Sequence, residues 1–152
     1  MRSFELDIFI ECRRDKIYDH LSMPINMIGL QPLLTEMDVL DERKDENGVI
    51  LRPFETVETF RWLGFPIYKN RILSIIRLTK PKEELEFHVY SNPDIEIVFN
   101  YLLKEFNDKR TQITQTVRFV KVNKLLEIFV VQQANQAQRA LLSNLKVRLE
   151  KN

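Results

Sequence analysis

The last segment of the chain, Lys124 to Asn152, has the apolar spacing of one long amphipathic helix. Residues three and four positions apart share a helix face, and six apolar residues follow this spacing: Leu126, Val130, Ala134, Ala137, Leu141 and Leu145. Asn123 is the expected N-cap. Such a helix must bury its apolar face, and the extended segments before it predict that its partner is a β-sheet.

Two features of this helix stay open in the sequence. The β-branched run Ile128 to Val131 suits either the first helical turns or the end of a strand, so the start of the helix is defined only to within a few residues. Ala134 and Ala137 have small side chains. These two alanines either let the helix lie close on the sheet or leave room for a ligand beneath it.

The segment before the sheet combines one strand with short helical pieces. Apolar and polar residues alternate from Phe4 to Ile10, which predicts a strand with one apolar face. One short helix is expected from Asp15 to Leu21 and a second between Pro24 and Pro32. Both are too short to be stable alone, so we expect them to lie against the edge or open end of the sheet.

From Leu33 onward the sequence reads as long strands separated by turn signals, at Asn47-Gly48, 63–65, 80–83, 92–94 and 107–110. Strands of this length must twist and curve, which gives the sheet a concave side. The turn lengths also predict the pairing: Met37 with Glu58, Glu58 with Asn70, Ile76 with Phe87, and Val89 with Ile97.

Carried through four hairpins, this pairing collects a mostly apolar set of residues on one face of the sheet. That face comprises Met37, Val39, Thr56, Glu58, Phe60, Tyr68, Asn70, Ile72, Ser74, Ile76, Leu85, Phe87, Val89, Ile97, Phe99 and Tyr101. The last hairpin is ambiguous. Apolar alternation points Ile113, Gln115, Val117 and Phe119 inward, whereas a four-residue turn would point Thr114, Thr116 and Arg118 inward; we favour the first.

The predicted concave face carries polar residues among its aromatic and aliphatic ones, namely Thr56, Glu58, Asn70, Ser74 and Gln115. Buried polar groups need partners, and an apolar cavity with a few convergent polar groups is how small-molecule sites are usually built. The alternative is that these residues lie near strand ends and are hydrated.

The loop around Trp62, Leu63, Phe65 and Pro66 is an apolar tip at the same end of the sheet as the start of the long helix. It either rims the mouth of a cavity and transiently contacts a membrane or partner, or it folds back and plugs the end of the barrel.

Composition excludes several classes of function. The 23 basic and 22 acidic residues balance, with no basic stripe, so nucleic-acid binding lacks its electrostatic source. His20, His88 and Cys12 are scattered, so neither a metal site nor a cofactor is expected. No apolar run is long enough to span a bilayer, and the single cysteine favours the cytoplasm. The length predicts one domain over residues 1–152.

The segment Phe4 to Leu34 runs from an alternating strand into Arg14-Asp15-Lys16-Ile17-Tyr18-Asp19-His20-Leu21-Ser22-Met23-Pro24 and a later Pro32. This segment, together with the order of elements over nearly the whole chain, resembles the START and birch-pollen-allergen-like (SRPBCC) superfamily, which includes polyketide cyclases, dehydratases and lipid carriers. The sequence departs from the common pattern at Cys12-Arg13 and at Met27-Ile28-Gly29. The resemblance implies an α+β helix-grip fold, a curved antiparallel sheet of about seven strands wrapped on the C-terminal helix, with a cavity between them.

The leading prediction is that this cavity binds or carries a hydrophobic or amphipathic molecule, lipid-like or polyketide-like. The expected ligand-binding residues are Met37, Thr56, Glu58, Phe60, Trp62, Phe65, Tyr68, Asn70, Ile72, Ser74, Phe87, Phe99, Tyr101, Gln115, Val117, Ala134, Ala137 and Leu141. One alternative is a cyclase or dehydratase that uses Glu58 as acid or base, oriented by Asn70 or Tyr68. Another is a protein-interaction module that uses the Trp62 to Pro66 tip. The sequence leaves the oligomeric state open.

Overall fold

The computed structural model describes residues 2–31, 34–62, 65–91 and 94–151, with the side chains of Thr35, 59–62 and 65–68 outside the description. In these ranges the elements are β1 (Arg2–Ile10), α1 (Arg14–Leu21), a 3-10 helix (Pro24–Met27), β2 (Leu34–Val39), β3 (Arg43–Lys44), β4 (Ile50–Trp62), β5 (Phe65–Lys80), β6 (Glu84–Ser91), β7 (Ile95–Asn107), β8 (Arg110–Lys121) and α2 (Glu127–Glu150).

All described strands belong to one antiparallel sheet with the order β1-β8-β7-β6-β5-β4-β2, and the two-residue β3 pairs with β4. The first strand pairs with the last, with Phe4 opposite Val117. Helix α2 buries Leu141, Leu142, Leu145 and Leu149 in the same hydrophobic core as the inward side chains of the sheet. The predicted arrangement, a long C-terminal helix on a curved antiparallel sheet, is therefore confirmed.

Most of the predicted strand pairing is also confirmed. Glu58 lies opposite Asn70, Ile76 opposite Phe87, and Val89 opposite Ile97. Because side chains alternate between the two faces of a strand, correct pairing places the predicted inward residues on the concave side.

The predicted pairing of β2 was wrong by two residues. Met37 lies opposite Thr56, not Glu58. The Asn47-Gly48 turn closes only the short β3, where Lys44 pairs with Ile50, and Gly48 takes the positive φ of 81° that the turn needs. The residues between β2 and β3 accommodate this two-residue change in the pairing of β2 with β4. A two-residue shift preserves the face, although Val39, which was expected to face inward, is 57% exposed.

The ambiguous last hairpin adopts the orientation favoured by its apolar residues. Ile113, Gln115, Val117 and Phe119 are buried. Asn107 pairs with Arg110 across a tight turn, and a register shift between Glu105 and Asn107 changes which residues of β8 face inward. A plain four-residue turn, as considered from the sequence, lacks this shift.

Helix α2 begins later than the sequence suggested. Leu126, not Asn123, occupies the N-cap position. The Asn123 side-chain oxygen accepts a hydrogen bond from the Leu125 N–H at 2.8 Å, which stabilises a turn ahead of the helix. The run Ile128 to Val131, which could have prolonged a strand, is helical.

Helix α2 also holds the short helical segment near the N-terminus. The Arg148 guanidinium donates to the carbonyl oxygens of Asn26 at 2.6 Å and Ile28 at 2.8 Å. The Asn144 amide donates to the Leu30 carbonyl at 2.9 Å. The sequence predicted that this segment packs against the sheet. In the structure it also packs against α2, and these hydrogen bonds set the distance between the segment and the helix.

Candidate functional site

A cavity of about 410 Å³ lies between the concave face of the sheet and α2. The helix borders it with Leu126, Val130, Ala134, Ala137 and Leu141, so the two alanines leave space beneath the helix. The sheet contributes an aromatic and aliphatic wall that includes Phe54, Ile72, Phe87 and Phe99. A cavity of this size and lining is typical of sites for small apolar molecules.

Many of the residues expected from the sequence lie on the cavity wall: Thr56, Glu58, Asn70, Ile72, Ser74, Phe87, Phe99, Tyr101, Ala134, Ala137 and Leu141. Three others lie elsewhere. Met37 packs against the edge of the hydrophobic core, and Gln115 and Val117 are fully buried in it. The side chains of Phe60, Trp62, Phe65 and Tyr68, and with them the apolar tip from Trp62 to Pro66, lie outside the described residues.

Several residues that line the cavity were not chosen from the sequence. Strand alternation with Thr56 would have found Phe54, and the helical spacing of Val130 and Ala137 would have found Gln133. Met27, Gln31 and Leu34 also line the cavity. Met27 and Gln31 reach the cavity through the way the short helical segment folds against α2, and Leu34 through the pairing of β2 with β4, where it lies opposite Glu58.

One polar group of the cavity surrounds Glu58. Its carboxylate is half-buried and makes no hydrogen bond or ion pair within the described part of the chain. The residue opposite it, Asn70, donates its amide to the Ser91 hydroxyl at 2.6 Å instead. Desolvation by burial raises the pKa of Glu58, because removal from water disfavours the charged form.

A second polar group joins the helix to the sheet. Gln138 of α2 accepts a hydrogen bond from the Gln115 amide at 2.8 Å and a long one from the Tyr101 hydroxyl at 3.4 Å. All three side chains are buried, and Tyr101 and Gln138 line the cavity. Burial raises the pKa of Tyr101, which keeps its hydroxyl neutral. This group gives the cavity wall a second polar point away from Glu58.

The helix side of the cavity is partly open. Phe129 lines the cavity and is also 59% exposed, so it lies at an opening. The neighbouring Leu125 and Ile128 are 93% and 65% exposed. The turn before α2 and the first turn of the helix therefore present apolar side chains to solvent beside the opening.

Other kinds of site have less support. In the part of the chain that is described, no three His, Cys, Asp or Glu residues are grouped as metal ligands. Neither described α-helix is long and apolar enough to cross a bilayer. Glu58 lines the cavity as an acid or base would need to, but Asn70 does not orient it, and the Tyr68 side chain lies outside the described residues.

The raised pKa of Glu58 predicts a pH-dependent cost in stability. Between the usual pKa of glutamate and the raised one, the folded chain holds the proton more firmly than the unfolded chain, so stability falls as pH rises through this window. We expect Glu58→Gln to melt above the wild type at pH 7, with a difference that shrinks towards about pH 4, where the carboxyl becomes protonated in both states. Thermal unfolding followed by circular dichroism at both pH values measures this.

The matched control is Glu55→Gln on the outer face of β4, where Glu55 pairs with Arg71 at 2.9 Å. This variant loses an ion pair and is expected to gain no stability at pH 7. A Glu58→Gln protein that melts below the wild type at pH 7 would contradict a net cost of burying the Glu58 carboxylate.

Comparison with known proteins gives a fold likeness and no sequence match. No family model matches the sequence, and no curated protein matches it. Among solved structures, a START superfamily protein from Mycobacterium smegmatis has a TM-score of 0.75 at 9% identity, with 98% of this chain and 97% of that chain covered. The Zhui aromatase/cyclase from Streptomyces sp. R1128 has a TM-score of 0.75 at 14% identity, with 99% and 94% covered.

A third structure is the di-domain ARO/CYC BexL from the BE-7585A biosynthetic pathway, with a TM-score of 0.73 at 17% identity. All of this chain is covered, but only 48% of BexL. Identities this low establish a common fold and carry no residue roles from one protein to another.

Proposed function

We propose that this chain, which has the START-like helix-grip fold, binds an apolar or amphipathic small molecule in the cavity between the sheet and α2. The observation that carries the proposal is the cavity of about 410 Å³, whose wall is mostly apolar and holds a few polar side chains. Burial of the apolar surface of a ligand against such a wall is favourable, and the polar groups can orient the ligand.

Binding without chemistry is the form of the proposal that the site favours. Acid or base catalysis needs a proton-transferring group held in place, and Glu58 has no partner that orients it within the described residues. The exposed apolar side chains Leu125, Ile128 and Phe129 beside the opening suit a carrier, because an apolar ligand has to pass the rim of the cavity. The proposed setting is the cytoplasm, since Cys12, the one cysteine of the chain, is a free thiol.

A second candidate function is catalysis of the cyclase or dehydratase type. The feature that favours it is the position of Glu58 on the wall of an apolar cavity, where burial raises its pKa, since a general acid must keep its proton at a higher pH than an ordinary glutamate does. Incubation with a β-hydroxy-ketone of polyketide type, followed by mass spectrometry for loss of water, tests it. Turnover by the wild type that Glu58→Gln abolishes would favour the enzyme, and equal traces with both proteins would remove it.

Two measurements test the binding proposal. Native mass spectrometry of the purified chain should show a fraction carrying one small molecule that is lost on denaturation. After removal of that molecule, titration with the neutral apolar dye Nile red should show saturable binding of one dye per chain. A folded chain that binds neither the dye nor any copurified molecule would refute the proposal.

A further inference from the structure

The charge on the cavity wall is unbalanced. Among the described residues that line the cavity, Glu58 is the one Asp, Glu, Lys or Arg. The other polar residues that the sheet contributes to the lining, Thr56, Asn70, Ser74 and Ser91, are neutral. The helix faces the cavity with glutamines, alanines and larger apolar side chains. A ligand that enters this space therefore meets one acidic group and, in the described lining, no basic one.

The described side chains of the neighbouring strands do not supply a cation to Glu58. Lys69 and Arg71 flank its partner Asn70 on β5, but both alternate to the outer face and are exposed. Arg71 pairs there with Glu55 at 2.9 Å. On the other side of β4, the residue opposite Glu58 is Leu34, which is apolar. The carboxylate oxygens of Glu58 can therefore accept hydrogen bonds from a ligand in the cavity.

We propose that the cavity selects amphipathic ligands whose polar end is a protonated amine, which pairs with the Glu58 carboxylate while the apolar part lies along the aromatic wall. The inference rests on the proposed function and names the class of ligand for the same site.

The preference arises because the polar groups of different ligands change the charge of the Glu58 carboxylate in different ways. An alkylammonium ion donates hydrogen bonds and neutralises the carboxylate. A hydroxyl donates one hydrogen bond and leaves the charge. A carboxylate ligand places a second negative charge beside the first, so one of the two must take up a proton. Ligands of equal length should therefore bind in the order amine, alcohol, carboxylate.

The experiment compares decylamine, decanol and decanoate, each below its aggregation concentration, as competitors of Nile red at neutral pH. The three compounds share one chain length and differ at the polar end. For the wild type we expect decylamine to displace the dye at a concentration about tenfold below that of decanol, because the ammonium ion neutralises the carboxylate that it bonds, whereas the hydroxyl of decanol leaves that charge in the cavity. Decanoate should be the weakest.

Two variants locate the effect. In Glu58→Gln the advantage of decylamine over decanol should disappear. In Glu55→Gln, which removes a carboxylate three positions away on the outer face, the wild-type order should persist. Circular dichroism and thermal unfolding establish that both variants are folded, and Glu58→Asp, which keeps a carboxylate, provides a second test if the amide variant does not fold.

Each outcome separates this inference from the proposed function. Saturable binding of Nile red and decanol without an amine preference would overturn the inference and leave the binding function standing. An amine preference that persists in Glu58→Gln would also overturn it, because the selectivity would then arise elsewhere. Failure of the folded chain to bind the dye and all three competitors would remove the binding function itself.

Discussion

Replacement of Ala137 by tryptophan will strongly weaken the binding of apolar molecules while the protein remains folded. Ala137 lies on α2 and borders the cavity of about 410 Å³. An indole group at this position projects into the space between the helix and the sheet and takes the place of the ligand. We expect the affinity for Nile red to fall at least about tenfold, which corresponds to roughly 1.4 kcal/mol of lost binding free energy.

The matched control for this substitution is Gln136→Trp. Gln136 precedes Ala137 on the same helix but is exposed, and it does not line the cavity. The control adds the same side chain to the outside of α2 and should bind the dye like the wild type. Equal dye affinity of Ala137→Trp and the wild type would show that the cavity is not the binding site.

Replacement of Leu145 by alanine will cause a large loss of stability and, unlike the substitution at Ala137, will not directly change the cavity wall. Leu145 is 0% exposed and belongs to the core that joins α2 to the sheet. Deletion of a buried leucine side chain usually costs about 2 to 5 kcal/mol. Part of this cost is the lost burial of apolar surface, and part is the cavity that remains because the structure around it relaxes only partially. The melting temperature of a chain of this size should fall by roughly 5 to 15 °C.

Val147→Ala provides the comparison for the core substitution. Val147 lies two residues further along α2 and is 55% exposed, so its loss should change the melting temperature only slightly. Denaturant unfolding of both variants measures the difference in free energy. If Leu145→Ala were as stable as Val147→Ala, the packing of α2 on the sheet would not be the main support of this helix.

The strand pairing shows how much of the fold local sequence patterns predict. Alternation and turn length placed Thr56, Asn70, Ile72 and Ser74 on the concave face, and the structure has them buried there. The prediction succeeded because a two-residue period and a short turn are local properties that leave few arrangements for neighbouring strands. It missed the pairing of β2, where Met37 lies opposite Thr56, because the intervening β3 is not visible as a pattern in the sequence.

The candidate site was only partly predictable, for a related reason. The helical stripe indicated Ala134 and Ala137, and both border the cavity. The same spacing missed Gln138, whose contact with Gln115 and Tyr101 spans two strands and a helix. Such a contact depends on the rotation of α2 over the sheet, which no single segment encodes.

The sequence by itself determined the order of the elements, the long helix, the meander and the face of the sheet that turns inward, because each follows from periodicity within a segment or from the length of one turn. Only the tertiary structure decided that a cavity remains beneath α2 and that Glu58 lies in its wall without a partner among the described residues. Those features depend on the distance between helix and sheet. That distance is set by side chains far apart in sequence, such as Leu145 in the core and Arg148 on the carbonyls of Asn26 and Ile28.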